Sequence, residues 1–560
     1  IIGYNIFGFD YDFMFQRAKE NKITRKFLEL SRNKGEICAG TNYKTKELKI
    51  EESSIVIASG QHDLKFIKMN GRLQVDMYNY FRRDYNLTSY KLDYVAGYFI
   101  GDKVKKLEHE NDNTVIYTKN IIGLEPGSYI NFEETSHSSD LYKDGKKCLV
   151  ESIDKEKGTI TIKGLEEPDM TKSVKWGLAK DDVTPQDIFR MTNEGPSQKA
   201  VIAKYCIQDC NLVHHLFKKI DVITGYVEMA KICSVPINFL VMRGQGIKLT
   251  SYIAKKCREK DTLMPTIDKP EYREPADGES WDGYDGAIVL DPKCDLYLDK
   301  PVACVDYSSL YPSSMISENL SHDSKVWAKE FDLDGNLIPG SETGDKNNKG
   351  EFIYDNLKDY QYVDIEHETY KWQANERGKL EKKVSGKRVC RFAQFPDGRK
   401  GIMPSILEEL LAARKATRKK IKTEPDPFMQ NILDKRQLSY KITANSLYGQ
   451  CGAKTSTFFE KDVAASTTAT GRTLLTYARR IIEECYGDII VDTKYGKMRS
   501  RAEYIYGDTD SVFFTFNFET LDGEKVVGKK ALEMTIDLAQ EAGALATDGL
   551  KKPHDLEYEK

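Results

Sequence analysis

Apolar, β-prone residues flank a short polar core in Tyr504-Ile-Tyr-Gly-Asp508-Thr-Asp510-Ser-Val-Phe-Phe514. The pattern predicts two short strands joined by a tight turn, with Asp508 and Asp510 at its tip. Strands are also predicted over 53–57, 65–69 and 72–76, and residues 302–306 form an apolar run that ends at Asp306 before the chain turns into a helix. Helical spacing of apolar residues predicts helices over 11–19, 77–99, 200–220, 403–422 and 428–448. The last two are separated by Thr423-Glu-Pro-Asp-Pro427 and are expected to pack antiparallel.

Between these elements the texture changes twice. From 104 to 180, short β-type runs alternate with Gly, Asp, Asn and Lys turns, which predicts a small β insertion. Residues 325–402 are polar and Gly/Asn/Asp-rich, then basic, and are expected to be an insertion or flexible surface region. Residues 221–300 form a connecting region that ends in Gly283-Tyr-Asp-Gly-Ala-Ile-Val289. Small residues beside an aromatic there allow close backbone approach to a ligand, and equally mark a plain turn.

At 560 residues, 40% hydrophobic and 31% charged, the chain is expected to be a soluble protein of several domains. No apolar run approaches the ~20 residues of a membrane span, so no membrane partner is expected. The first residues carry no signal-peptide pattern, and the missing Met suggests a start inside a longer gene product. Eleven scattered cysteines without a C-x-x-C fit a reducing, intracellular setting. The net charge of −3 argues against a protein that coats nucleic acid, but charge is segregated. Residues 377–400 hold nine Lys/Arg against Glu381 and Asp397, and residues 414–422 hold six with no acid. Either stretch is a solvated basic face or a phosphate-binding wall.

Several residue sets could carry chemistry. Asp508 and Asp510 at a hairpin tip can lean on one cation, although a solvated turn is the plainer reading until Asp306, 202 residues upstream, supplies a partner carboxylate. Arg414 and Arg418 are i and i+4, and Lys441, Asn445 and Tyr448 are i, i+4 and i+7, closed by Gly449. Each set shares a helical face, and such a pair of helices could present fixed cations to a triphosphate. Asn5 and Asp10 follow a short N-terminal strand, where Asp10 alone reads as a helix N-cap. Tyr205 and Asp209 share a helical face. His214 and His215 diverge by about 100° on a helix and do not suit one metal. Gly523 to Lys529 matches a phosphate-binding loop except that Lys530 stands where Ser or Thr is required, which makes it a coincidence.

Taken together these residues resemble family B DNA polymerases. Asp306-Tyr-Ser-Ser-Leu-Tyr-Pro-Ser313 resembles motif A, Lys441-Ile-Thr-Ala-Asn-Ser-Leu-Tyr-Gly449 motif B, and Tyr506-Gly-Asp-Thr-Asp-Ser511 motif C, in the family's order. Asn5-Ile-Phe-Gly-Phe-Asp10 and Tyr205-Cys-Ile-Gln-Asp209 resemble the second and third motifs of the family's 3′–5′ exonuclease. Tyr284-Asp-Gly-Ala287 resembles the segment linking the two modules. Arg243-Gly-Gln-Gly-Ile-Lys248 is similar to delta-type enzymes, and Cys390-Arg-Phe-Ala-Gln394 with the β insertion is similar to polymerases of large eukaryotic DNA viruses.

The resemblance implies an α/β multidomain fold. Its parts are an RNase H-like exonuclease domain (1–220), a connecting region (221–300), an α+β palm in two parts (301–324 and 451–560) and two-helix fingers (403–450). It implies template-directed addition of deoxynucleotides to a primer 3′ end, with Asp306 and Asp508 bridging two Mg²⁺ ions (Mn²⁺ can substitute) and Asp510 in a lesser part. Ser308, Ser309 and Leu310 hold the triphosphate through their backbone. Arg414, Arg418 and Lys441 neutralise its β- and γ-phosphates, and Lys441 is also the proton donor to pyrophosphate. Tyr311 excludes a 2′-hydroxyl, and Asn445, Tyr448 and Gly449 shape the base-pair pocket. Tyr284, Gly286 and Ala287 meet DNA. In the proofreading site Asp10 and Asp209 bind metals, Tyr205 orients the water and Asn5 contacts substrate. Primer-template DNA, dNTPs and a sliding clamp or processivity factor are the implied partners, at a nuclear or cytoplasmic replication site if the source is viral. The exonuclease's Asp-x-Glu and the thumb are expected beyond the two ends, so this stretch by itself is not expected to proofread. The alternatives are a nuclease or inactive nucleic-acid-binding scaffold, and a reverse transcriptase or RNA polymerase. Tyr311 and the Lys441–Gly449 helix speak against the last.

Overall fold

The apolar pattern is buried in several separate cores. A computed structural model describes residues 1–57, 60–121, 123–136, 138–179, 184–267 and 277–560. Lys180, the end of the expected insertion, and residues 268–276 of the expected connecting region lie outside the described residues. The chain divides into one unit of Ile1–Ala230 with Val235–Gly244 and a second of Lys231–Ser234 with Gln245–Lys560.

In the first unit, helix α1 (Tyr11–Glu20) buries Tyr11, Phe15 and Ala18 on one stripe, against Phe7, Leu28 and Ile67. The helix expected over 77–99 is two helices, α2 (Met77–Asp84) and α3 (Leu92–Phe99). Tyr85 turns extended between them (φ −134°, ψ 140°). The polar run Asn86, Thr88, Ser89 favours turn over helix and decides the break. The strands expected over 65–69 and 72–76 are mostly loop. The ladder runs instead between Glu51–Ile57 and Gly60–Phe66, and only Val75–Asp76 pairs, parallel to Ile2–Gly3. Ile67 and Met69 are apolar because they plug the core, not because they pair.

The expected β insertion is a closed barrel. Its strands are β1 (Gly101–Glu110), β2 (Asn113–Thr118), β3 (Tyr129–Thr135), β4 (Ser139–Leu141), β5 (Cys148–Asp154), β6 (Thr159–Lys163) and β7 (Ser173–Ala179). They run antiparallel in the order β4-β3-β5-β6-β2-β1-β7, and β7 also pairs with β3, which removes the open edge. Trp176, Phe132, Ile130 and Ile160 fill it, and the Trp176 indole donates to Thr118 Oγ1 at 3.1 Å. Helix α4 (Pro196–Ile220) follows, burying Leu212, Val213, Leu216 and Ile220.

The second unit is built on an antiparallel sheet of β8 (Val289–Leu290), β9 (Ala303–Tyr307), β13 (Glu503–Asp508), β14 (Ser511–Thr515) and β15 (Leu556–Tyr558), ordered β8-β13-β14-β9-β15. Helices α8 (Lys461–Tyr486) and α9 (Gly528–Asp548) pack on it through Leu475, Ile482, Met534 and Leu538 against Val305, Val512 and Phe514. A second core joins α5 (Leu310–Ser317), α6 (Ile402–Ile421) and α7 (Pro427–Cys451) through Met315, Leu407, Leu410 and Leu447. Helices α6 and α7 are antiparallel neighbours, with Arg414 donating to Gln437 Oε1 at 3.3 Å and Gln430 donating back to the Glu424 carbonyl.

Residues 325–402 are partly regular: 333–360 are loop and turn, as expected, but the segments around them are strands. Strands β10 (Lys325–Asp332), β11 (Gln361–Ala374) and β12 (Leu380–Gln394) form a sheet in the order β10-β12-β11. The second half of β12 is buried on both faces, Arg388, Cys390 and Phe392 on one and Val389 and Ala393 on the other, while its charged first half, 381–383, is exposed. Of the nine Lys/Arg of 377–400, Arg388 is paired with Asp462 and Glu330, Arg391 with Asp355 and Asp364, and Lys387 with Glu366. Among the described residues no helix is long and apolar enough to cross a membrane.

Candidate active site

Strand β9 lies between β14 and β15, so Asp306 sits opposite Ser511 on one side and Glu557 on the other. The hairpin β13–β14 turns through Thr509 at φ 58°, closed by Asp508 opposite Ser511. The turn is tied to β9, because Tyr307 N donates to the Asp510 carbonyl at 2.9 Å. Asp508 accepts from Thr509 Oγ1 at 2.8 Å and from the Tyr506 hydroxyl at 3.2 Å. After β9 the chain reverses at Ser309 (φ 55°) into α5, placing Ser308–Tyr311 at the mouth of the sheet.

A cavity of about 460 Å³ opens there. Asp306 and Asp510 form its acidic wall with Glu557 and Glu559, and Arg414, Arg418, Lys441 and Asn445 face them from α6 and α7. Ser308, Ser309, Leu310 and Tyr311 line it as well. Asp508, Tyr448 and Gly449 do not, although the Tyr448 ring lies 4.4 Å from that of Tyr311. Glu557 and Glu559 were not singled out by sequence. The signal was the alternation Leu556-Glu-Tyr-Glu559, which puts both acids on one face of a strand.

Burial pushes the Asp306 carboxyl up to about 7, with Asp510 and Glu559 adding repulsion that Lys441 only partly offsets. Burial raises Asp510 too, with Asp508 and Glu559 behind it. On the opposite wall burial and the neighbouring Arg418 lower Arg414. The acidic donors are all carboxylate oxygen, and their mutual repulsion is relieved by a hard divalent cation, which this donor set fits. An acidic wall facing three cations can take up a metal-bound polyphosphate.

Segment Tyr284–Ala287 leads to the same hairpin. Tyr284 fits against Gly452, where any Cβ would fall 1.8 Å from its hydroxyl. Gly286 and Ala287 are exposed, Ile288 accepts from Thr509 N at 3.2 Å, and Val289 pairs with Asp508.

In the first unit Asn5 is left-handed (φ 63°, ψ 28°). Its amide and that of Phe7 donate to the buried Asp76 at 2.8 and 3.0 Å. Asp10 is no N-cap. It has helical φ/ψ, makes no capping bond, and is raised by burial. Tyr205 and Asp209 share a cavity of about 560 Å³ on α4 that Asn5 and Asp10 do not line. His215 faces Glu125 at 3.4 Å.

Comparison with known proteins follows this division. The model of DNA polymerase family B matches residues 235–542, and that of the family's exonuclease domain matches residues 1–95, which leaves Tyr205 and Asp209 outside both. The chain is 54% identical over 558 residues to a DNA polymerase of Phaeocystis pouchetii virus, covering 99% of this chain and 52% of the relative. It is 38% identical to a DNA polymerase of Pyramimonas orientalis virus, covering 100% and 44%. To the DNA polymerase delta catalytic subunit of Oryza sativa subsp. japonica it is 28% identical, covering 95% and 35%. The chain thus spans about half the length of the viral relatives. The solved family B DNA polymerase of Pyrobaculum calidifontis shares the fold, with a TM-score of 0.52 at 20% identity over 100% of this chain and 48% of that one. With more than half of its residues matched by the family model, the chain belongs to DNA polymerase family B.

Proposed function

We propose that the Asp306 cavity is the nucleotidyl-transfer centre of a template-directed DNA polymerase, acting on primer-template DNA and dNTPs. The observation that carries it is one cavity with carboxylates on one wall and Arg414, Arg418 and Lys441 on the other. Asp306, Asp508 and Asp510 hold Mg²⁺, for which Mn²⁺ can substitute. Two such ions, when bound, stabilise charge on the attacking and leaving oxygens. Glu557, directly opposite Asp306, deepens the negative field that draws cations in. The backbone of Ser308–Leu310 and the Arg414, Arg418 and Lys441 side chains bind the triphosphate, and Lys441 delivers a proton to the departing pyrophosphate. Tyr311, backed by Tyr448, meets the sugar and disfavours a 2′-hydroxyl. Asn445 and Gly449 border the base pair, and Gly286 and Ala287, being exposed, meet DNA.

In this reading residues 301–324 and 451–560 are palm, 403–450 fingers, and 1–220 part of a 3′–5′ exonuclease domain that would use Asn5, Asp10, Tyr205 and Asp209 in the full-length protein, this stretch by itself not being expected to proofread. A sliding clamp as partner and replication of a viral genome inside the host cell belong to the same reading, and the viral relatives favour it. Primer extension tests it. Extension with dNTPs but not rNTPs on a DNA template, lost in Asp508→Asn, is the expected result. No extension by a folded wild type would favour the scaffold alternative, and equal use of rNTPs the RNA-synthesising one.

A further inference from the structure

Hairpin β11–β12 plays no part in the proposed chemistry, yet it is bonded to a segment that does. Its backbone runs beside residues 278–281. Gly278 N donates to the Trp372 carbonyl at 2.7 Å, Trp372 N to the Glu279 carbonyl at 2.8 Å, and Trp281 N to the Tyr370 carbonyl at 2.8 Å. Two side chains of the hairpin then take hold of Asp285. Lys382 Nζ stands 3.0 Å from Oδ1, and the Tyr370 hydroxyl donates to Oδ2. The contact is stiffened by rings. Lys382 lies 4.4 Å over the Trp281 ring and 4.6 Å over that of Tyr370, which meets Trp281 edge-on at 5.4 Å. The Asp285 carbonyl is fixed independently, by Thr468 Oγ1 at 2.8 Å and Arg472 at 3.1 Å from α8.

Asp285 therefore cannot shift without moving what flanks it. Tyr284, before it, packs its hydroxyl against Gly452 at the end of α7, beside the Tyr448 side chain, whose ring rests against Tyr311 in the cavity wall. Val289, after it, is paired with Asp508. We propose that Tyr370 and Lys382 form a positioning clamp on Asp285. Through Tyr284 and Tyr448 the clamp holds the Tyr311 wall in place, and so it sets the affinity of the cavity for the incoming deoxynucleotide. The inference rests on the nucleotidyl-transfer reading. Neither residue lines the cavity, so both act through Asp285.

The test compares wild type, Tyr370→Phe/Lys382→Met and Lys382→Arg, each made from the complete gene, in single-nucleotide incorporation. In the double variant the dNTP KM is expected to rise about 10-fold while kcat stays within about twofold. Lys382→Arg keeps the cation over the rings and is expected to retain the wild-type KM. A merely structural role would lower the active fraction, and kcat with it, and leave KM alone. An unchanged dNTP KM, or a loss confined to kcat, overturns the clamp. Hydrogen exchange of the 284–290 amides needs no turnover and is expected to quicken in the double variant. Exchange at the wild-type rate overturns the clamp even if the wild type adds no nucleotide, an outcome that by itself counts only against the polymerase reading.

Discussion

Two aspartates of the second unit make an instructive pair. Asp462 is 3% exposed and answered on every side, with Arg388 on both oxygens at 2.8 and 2.9 Å and Lys325 at 3.2 Å. Burial alone would raise its carboxyl, but these bonds hold it well below the ordinary carboxylate range. Asp306 is less buried, yet burial pushes it the opposite way, to about 7, its acidic neighbours Asp510 and Glu559 adding to that push and Lys441 offsetting it only in part. The cluster His367, Cys390 and Asp462 brings possible ligand atoms within 4.8 Å of one another, but Arg388 and Lys325 already occupy its only carboxylate. Charge that is compensated inside the fold is structural. Charge only partly compensated at the mouth of a cavity marks a candidate ligand site.

The contrast can be broken most sharply by removing one charge from each. Asp306→Asn is expected to cost at least ~10³-fold in nucleotide addition while leaving thermal stability equal or higher, since it relieves repulsion. Asp462→Asn leaves Arg388 with Glu330 alone and Lys325 with Glu460 alone, and is expected to cost ~3 kcal/mol in denaturant unfolding. Equal melting of the two variants would erase the distinction. On the cationic wall, Lys441→Ala is expected to lower kcat ~10²-fold with little change in stability, read by single-turnover extension.

Cation binding sharpens the same point. At a concentration a hundredfold above its Kd, Mg²⁺ should stabilise the wild type by about 2.7 kcal/mol. Asp306→Asn should show much less of this in a melting titration, and chelation should stop synthesis without unfolding the chain. The smallest effect is on pH. Because the folded Asp462 carboxyl is lowered from 3.8, its contribution to stability is full at neutral pH. That contribution is lost as pH falls below the unfolded value and through the folded one. Arg388→Met should flatten that limb of the stability–pH curve.

The residues that face each other across the cavity were legible because each sits on a strong local pattern. Asp306 ends an apolar strand, Asp508 and Asp510 tip a hairpin, and Arg414 and Lys441 lie on amphipathic helices broken by Pro425 and Pro427. Glu557 and Glu559 were passed over because alternating acid on a short strand also describes a solvated edge, and only the pairing of β15 with β9 gives it meaning. Residues 333–360 read as irregular and are so, while the strand around Arg388 is hidden because that charge is buried as an ion pair, which no hydropathy pattern registers. In the first unit Asp10, which taken alone reads as a cap, makes no capping bond because the chain enters α1 through a wide helical turn (Ile6–Asp10) rather than from extended backbone. The closing of the barrel by β7 on β3 depends on pairing across some 40 residues, which period-2 patterning does not encode.

The most direct measurement is single-turnover incorporation of one dNTP on a primed DNA template with Mg²⁺, comparing wild type and Asp306→Asn at matched folded fraction. Rapid primer extension by the first and essentially none by the second is the expected result. Comparable extension by both would contradict the assignment of this cavity as the place where the phosphodiester bond forms.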